Sequence, residues 1–500
     1  MNPPNNPLEG KIRRLSATLS PDPRRVLLRP FIPMLVVKPM AAPEPNARVL
    51  NLFARVMMLD EAAAAAQLEQ VLAEFDGRHL NIRDIFLERF EQVRPHLPTD
   101  RPLSQQRRLL LGSYFTNEYA IEAAALFNPS IVPHPDQTGA GPGELRFILS
   151  LRATGEGHIS SITFRSGVLT AEADVRLDPV SRFVRQPRPV TATRYQRDLF
   201  TRKLHELGLD AVHIREALGD LPATFSGPEL ELRVRKVRID SLDRDVVRTA
   251  ERAMLLAQAN YTVEYPDPTD ISEKIIFPFA PGESNGIEDA RFVAFTEEDG
   301  STRYYATYTA YDGNTVLPQL LETDDYQKFS VCTLNGPAVR NKGLALFPRR
   351  IGGRYAMLGR QDSENIHVMF SHHSHFWYES RVIARPSEPW EFVQLGNCGS
   401  PMETAAGWLV LTHGVGPMRK YSIGAMLLDL DDPTHVIARL RTPLLAPGPD
   451  EREGYVPNVV YSCGGLLHAG HLVLPYAVSD ISSRFAVIPV QNILDAMEPV

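Results

Sequence analysis

Arg303-Tyr304-Tyr305-Ala306-Thr307-Tyr308-Thr309-Ala310-Tyr311-Asp312 is one copy of a repeated pattern. The pattern is a turn, then four to six apolar or aromatic residues, then polar or charged ones. Such a run, rich in Tyr and Thr and followed by Gly313, reads as a β-strand. Glu144–Arg152, Arg354–Arg360, Gly407–Gly414 and Gly470–Asp480 repeat it. The last four of the five copies recur roughly every fifty to sixty residues, the length of one four-stranded unit. The recurrence predicts an all-β core built as a β-propeller. A sandwich is the other arrangement that strands alone allow. If equivalent strands radiate from one axis, their polar ends converge. Arg152, Tyr308 or Asp312, Arg360, His413 and Asp480 then share an axial pocket. A pocket of donors and aromatic walls suits a sugar, and its cations suit an anion.

Outward from the repeats the character changes. Residues 1 to about 48 are rich in Pro and Arg, with Val26–Phe31 and Met34–Val37 as short strands or extended arms. Helical spacing predicts helices over Asn51–Phe75, closed by Gly77, over Ile82–Val93 and over Ser104 to about Phe127. These are packing helices to which no chemistry is assigned. After Asn128-Pro129-Ser130 short apolar runs take over, interrupted by helical stretches at about Arg194–Leu221 and Val246–Asn260. The expected organisation is an N-terminal arm and helical region over 1–125, and a propeller domain over 126–490 with insertions at about 190–262. A tail follows over 491–500.

Five hundred residues exceed one simple core. Apolar content of 43% and charged content of 23% are ordinary for a globular chain. The net charge is -7 and no basic stripe carries interleaved aromatics, so nucleic acid is not an expected partner. Cys332, Cys398 and Cys463 stand far apart; an odd count suits reduced thiols, and a cytoplasmic location is expected. Met1-Asn2-Pro3-Pro4 lacks the charged and apolar regions of a signal peptide, and no apolar run reaches membrane-spanning length, so no membrane partner is expected.

Just before the Tyr-rich strand stands Asn285-Gly286-Ile287-Glu288-Asp289-Ala290-Arg291. Two adjacent carboxylates follow a Gly, and Phe292-Val293 come next, so the acids sit where a loop enters a strand. A carboxyl on such a rim can face a substrate with a tuned pKa. Alone, the heptapeptide also reads as a solvated turn.

Together these segments resemble glycoside hydrolase family 130, the mannoside phosphorylases and related β-mannosidases. Gly286–Arg291 is similar to G-x-E-D-P-R, Tyr304–Asp312 to Y-Y-x-T-Y-T-A-Y-D, and Asn341–Pro348 to N-K-D-A-x-L-F-P. Gly407–Val415 is similar to G-W-L-x-x-Y-H-G-V. Tyr421–Pro433 resembles Y-x-x-G-A-x-L-L-D-L-x-D-P, and Gly454–Val460 resembles G-x-V-P-N-V-V. The match runs from about Asn128 to Asp480, outside the helical insertions. The resemblance implies a five-bladed propeller with an axial site. It also implies inverting attack of inorganic phosphate on a β-mannoside, giving α-mannose 1-phosphate. It implies Asp289 as general acid, with Lys342, Arg360, His413 and Tyr421 on or near phosphate-holding positions. Arg152, Asn285, Glu288, Arg291, Tyr308, Asp312, Glu403 and Asp480 are the candidate substrate contacts. Phosphate and a mannose-containing oligosaccharide are the implied co-substrates; no cofactor or metal is expected, and a homo-oligomer is compatible.

Four departures stand out. Ala290 replaces the family Pro, and Gly343 replaces an Asp that would contact sugar. Val316-Leu317-Pro318-Gln319 stands where an arginine often follows. Glu403 stands where many relatives carry Lys and could activate water instead. Inverting displacement needs an acid for the leaving oxygen and a nucleophile on the opposite face. Phosphate needs cations rather than a base, so one acid facing a Lys-Arg-His cluster reads as phosphorolysis. Two opposed carboxylates read as hydrolysis. A donor of this kind should have a raised pKa, from burial or from Glu288, and Arg291 should then pair with Glu288 or bind sugar. Arg360 could instead pair with Asp362 or Glu364. His372, His373 and His375 form a local cluster whose spacing is weak for a metal. A phosphate-independent β-mannosidase and a non-catalytic sugar-binding propeller are the alternative functions.

Overall fold

The computed structural model describes residues 7–32, 47–190 and 194–500. In it each repeated segment is the second strand of an antiparallel sheet. Sheet one runs Ala125–Pro133, Leu145–Thr154, Ser160–Leu169 and Ile275–Ile276. Sheet two runs Ile287–Thr296, Thr302–Tyr311, Val316–Thr323, Lys328–Thr333, Tyr261–Glu264 and Arg188–Pro189. Sheet three runs Ala345–Leu346, Tyr355–Gly359, Ile366–Ser371 and Ser380–Ala384. Sheet four runs Gln394–Asn397, Gly407–Val415, Tyr421–Leu428, Val436–Arg439 and Glu498–Pro499. Sheet five runs Val460–Tyr461, His471–Val478, Ser482–Pro489 and Arg13–Leu19.

The apolar runs are continuous rather than alternating because both sheet faces are covered. Gly407–Val415, for instance, is buried at every position. Five apolar clusters lie one between each consecutive pair of sheets. Phe164 and Phe292 join sheets one and two, Tyr305 and Met357 two and three, and Val368 and Val410 three and four. Leu411 and Leu474 join sheets four and five, and Val473 and Leu149 join five back to one. Contacts also cross between sheets at their first strands: Phe292 N donates to Ser130 Oγ at 3.1 Å, and Cys463 N, just past Val460–Tyr461, to Pro129 O at 2.8 Å. The fold is therefore β-dominated, with helices added.

The chain divides into two compact units. One holds the sheets and comprises residues up to Asp22, Glu122–Val180 and Gln186–Val500; the other comprises Pro23–Ile121 and Ser181–Arg185. This differs from the expected boundaries at both ends. Arg13–Leu19 belongs to sheet five, and residues 491–500 are no free tail, since Glu498–Pro499 pairs with Val436–Arg439. The second unit packs Ala47–Met58, Glu61–Phe75, Ile82–Val93 and Gln105–Tyr114 around Phe53, Leu68, Phe86 and Leu110. The single helix expected over Asn51–Phe75 is broken because Asp60 caps a new one, its side chain accepting from Ala63 N at 2.7 Å. The helix expected to reach Phe127 stops at Tyr114 and gives way to Thr116–Ala120, which pairs with Val26–Pro30. Met34–Val37 lies outside the described residues.

The insertion in the sheet unit is four helices, Arg197–Glu206, Ala211–Leu218, Gly227–Asp240 and Arg244–Gln258, around their own apolar cluster. The third of these was not legible in the sequence. Among the described residues no helix is long and apolar enough to cross a membrane.

Candidate active site

Two β-bulges build the site. The register of sheet one slips between Phe127 and Ser130, and that of sheet two between Glu288 and Arg291. Within the slips Asn128 (φ 49°) and Asp289 (φ 55°) take left-handed backbone, which Asn and Asp tolerate better than other side chains. A bulge re-aims its side chain, and these two meet: Asn128 Nδ2 donates to Asp289 Oδ1 at 2.7 Å. Gly286 (φ 125°) leads into the second bulge, where a Cβ would lie 2.6 Å from Ser160 Oγ, so only glycine fits.

Cations surround the carboxylates. Arg152 places Nη1 3.3 Å from Asp289 Oδ1 and Nη2 2.9 Å from Glu288 Oε1. Lys342 Nζ bonds the other Glu288 oxygen, Oε2. Glu288 and Asp289 keep 15% and 18% of their side-chain surface, and Lys342 keeps 35%, so the group is recessed yet open to solutes. Arg291 is a buried brace: Nε donates to Cys398 O at 2.8 Å, Nη2 to the Tyr461 hydroxyl at 2.7 Å and Nη1 to the Asp289 carbonyl at 3.1 Å. The expected pairing of Arg291 with Glu288 is thus corrected; its donors are taken by protein oxygens, and Arg152 and Lys342 hold Glu288.

Beside this network stands a second group. His413, 1% exposed, sets Nε2 3.1 Å from Arg360 Nη1 and 3.2 Å from Gln394 Nε2. Arginine only donates, so Nε2 accepts and the ring is neutral. The ring stacks parallel to Tyr421 at 6.1 Å and meets Tyr461 edge-on at 4.9 Å. Arg360 Nε is buried without a hydrogen-bond partner, and among the described residues no carboxylate pairs with this guanidinium. Asp362, one of its expected partners, binds His367 and Asn365 instead. Asn341 (φ 61°) donates to Arg360 O at 3.0 Å, and Asn397 Nδ2 to Gly343 O at 2.9 Å, fixing the loop that carries Lys342.

The electrostatics differ from expectation at the acid. Burial pushes the Asp289 carboxyl up, but Arg152, Arg291, the Asn128 amide and Lys342 together hold it below the usual value. Asp480 (φ 52°) is the carboxyl that rises, to about 6, through burial and the charge of Asp289, opposed by Arg152 and Arg419. Burial, then Arg360 and Arg291, hold His413 well below an ordinary imidazole.

Four expected substrate contacts have other partners in the structure. Tyr308 is buried and donates to Glu283 Oε1 at 2.6 Å, beside Tyr261, beneath the loop before Gly286. Asp312 accepts from Asn314 N and Thr315 N in its own turn and lines a cavity of about 460 Å³ against the helical insertion. Asn285 is exposed, its N–H donating to Tyr311 O at 2.9 Å. Glu403 forms a two-pronged pair with Arg349, at 2.7 and 2.8 Å. That pair lines a cavity of about 310 Å³ with Val132, Ala294, Pro348 and Leu466, downstream on the strands that carry Asn128 and Asp289. Asn397 pairs with Thr412 and Glu403 with Trp408, four residues apart on one strand and so roughly 13 Å from each other along it. The sequence reading missed Asn128, Gln394 and Tyr461; only the turn signal of Asn128-Pro129 hinted at the first.

A sequence profile described as beta-1,4-mannooligosaccharide phosphorylase, of glycoside hydrolase family 130, matches residues 267–499. A 1,2-beta-oligomannan phosphorylase of Thermoanaerobacter sp. (strain X514) is 35% identical over 219 residues, 42% of this chain and 71% of that one. The chain belongs to glycoside hydrolase family 130. A beta-1,2-mannobiose phosphorylase of Listeria innocua is 31% identical, over 45% of this chain and 63% of its own. A beta-1,4-mannooligosaccharide phosphorylase of Ruminococcus albus is 31% identical, over 41% and 63%. The family profile covers Glu288, Asp289, Arg291, Lys342, Arg360, His413, Tyr421 and Asp480, whereas Asn128 and Arg152 come from sheet one, upstream of it.

Proposed function

We propose that this chain is a five-bladed β-propeller phosphorylase that transfers a β-mannosyl group to inorganic phosphate with inversion, giving α-mannose 1-phosphate and a shortened acceptor. The cyclic succession of five sheets, with an apolar cluster at each junction including the fifth to the first, supports the propeller. The observation that carries the function is Arg360, a half-buried guanidinium that pairs with no carboxylate among the described residues, braced by a neutral histidine. A half-buried cation calls for a counter-ion, and phosphate supplies both the charge and the acceptors.

In this reading Arg360 and Lys342 bind phosphate, Tyr421 lies beside them, and His413 orients Arg360. Asp289 donates the proton to the leaving oxygen, while Glu288, Arg152 and Asp480 hold sugar hydroxyls. The lowered pKa of free Asp289 fits a site that is loaded by its co-substrate. Phosphate engages some of the cations that stabilise the carboxylate and adds negative charge, and both effects raise the carboxyl's proton affinity. In the synthetic direction the same carboxylate is the base. Glu403, tied to Arg349, gives no support to water activation, so the hydrolase reading is not favoured.

The test is incubation of the full chain with β-1,2- and β-1,4-linked mannobiose, with and without phosphate. Mannose 1-phosphate should form only when phosphate is present. Release of free mannose at a rate indifferent to phosphate would refute the reading.

A further inference from the structure

We propose that Glu322, Cys332 and His375 form a binding site for a divalent metal of the zinc class, apart from the carboxylate pair. Glu322 lies in Val316–Thr323 and Cys332 in the adjacent antiparallel Lys328–Thr333. Leu320 stands opposite Cys332 and Ser330 opposite Glu322, so the two side chains are diagonal neighbours on one face. His375 comes from sheet three, in the loop after Ile366–Ser371. That loop is stapled to sheet two: Asn335 N donates to His375 O at 2.8 Å, and Trp377 N to Asn335 O at 2.8 Å.

The donor atoms converge. His375 Nε2 lies 3.0 Å and Cys332 Sγ 3.9 Å from Glu322 Oε1, and all three lie within 4.8 Å of one another. Zinc bonds of about 2.0 Å to N and O and 2.3 Å to S in a tetrahedron space donors by roughly 3.3–3.6 Å. Side-chain adjustments on the order of 1 Å close the difference. The second nitrogen of His375, Nδ1, is 2.8 Å from Ser374 Oγ, the outer bond that orients a metal-ligating imidazole. The three groups face a cavity of about 470 Å³, which leaves room for a water as fourth ligand.

One thiolate, one imidazole and one carboxylate select zinc over calcium or magnesium. On binding, the Cys332 thiol loses its proton to solvent and the metal takes the thiolate. The neighbouring His372 and His373 take no part. The metal would clamp the sheet-three loop onto sheet two.

The test uses the full chain, stripped with chelator, given one equivalent of zinc chloride and desalted, with bound zinc measured by mass spectrometry. Wild type should retain one zinc per chain, and Cys332→Ser and His375→Ala should lose it. His213→Ala, in the more exposed cluster His213, Asp243 and Asp245, should retain it. Cobalt in place of zinc should give a thiolate-to-cobalt charge-transfer band in wild type that Cys332→Ser lacks. Absence of retained zinc in wild type, equal retention by the Cys332 and His375 variants, or loss with His213→Ala alone would each overturn the proposal. If Cys332→Ser does not fold, the cobalt spectrum of wild type decides, and a spectrum without the thiolate band overturns it.

Discussion

Replacing His413 by alanine should weaken phosphate binding selectively. Nε2 of the neutral ring accepts from Arg360 Nη1 at 3.1 Å, and that guanidinium has no carboxylate to fall back on among the described residues. A hydrogen bond to a charged group contributes about 1.5–3 kcal/mol, or roughly ten- to a hundredfold in affinity. The KM for phosphate should rise by that factor, and the KM for the mannoside much less. His413→Gln, which keeps an acceptor oxygen, should recover part of the loss. The ring is buried, so both variants will be less stable. The ratio of the two KM values is the readout, because it does not depend on the fraction of folded enzyme. Initial rates over a matrix of phosphate and mannobiose concentrations supply it. An unchanged phosphate KM in His413→Ala, or an equal rise in both constants, would show that Arg360 is not held for phosphate by this ring.

Three further outcomes are expected. Asp289→Asn keeps an acceptor for Asn128 and Arg152 but has no proton to give. Turnover of mannobiose should fall by roughly 10²–10⁴, and an aryl mannoside with an acidic leaving group should lose far less, as read from rates on both substrates. Glu403→Gln should leave phosphate dependence unchanged and shift unfolding by no more than about 1 kcal/mol, since its pair with Arg349 is largely exposed; a denaturant melt and a phosphate titration check both. Asp480→Asn should stabilise the fold at neutral pH. With its carboxyl raised to about 6, the folded state binds more protons than the unfolded one between about pH 4 and 6, so this group's contribution turns unfavourable as pH rises through that window. The gain should reach at most about 3 kcal/mol at pH 7 and vanish near pH 4, measured as the difference between melts at the two values.

The second strands were legible because each is a run of apolar or aromatic residues covered on both faces. Most of the first strands were not: Ala345–Leu346 and Val460–Tyr461 are two residues long and carry no period. Asp289, Glu288, Lys342 and Arg152 could be named from motif and repeat. Asn128 could not, because its role depends on two bulges, 161 positions apart, facing each other. Tyr308 misled because tyrosines occupy both alternations of Thr302–Tyr311, so parity does not tell which face looks at the carboxylates. Glu403 misled because correspondence with relatives says nothing about which end of a strand run a residue occupies. Asp289 differs from the expected raised pKa because Arg152, the Asn128 amide and Lys342 oppose burial, and because Arg291, expected to pair with Glu288 or bind sugar, stands close enough to do the same.

Sheet five takes its outer strand, Arg13–Leu19, from the other extremity of the chain, against Ser482–Pro489. On the ribosome the earlier partner emerges hundreds of residues before the later one. It must stay unpaired while sheets one to four assemble, exposing a strand edge throughout. The pairing of Arg13–Leu19 with Ser482–Pro489 can form only after the second of these has been made, and the long loop it closes slows that step.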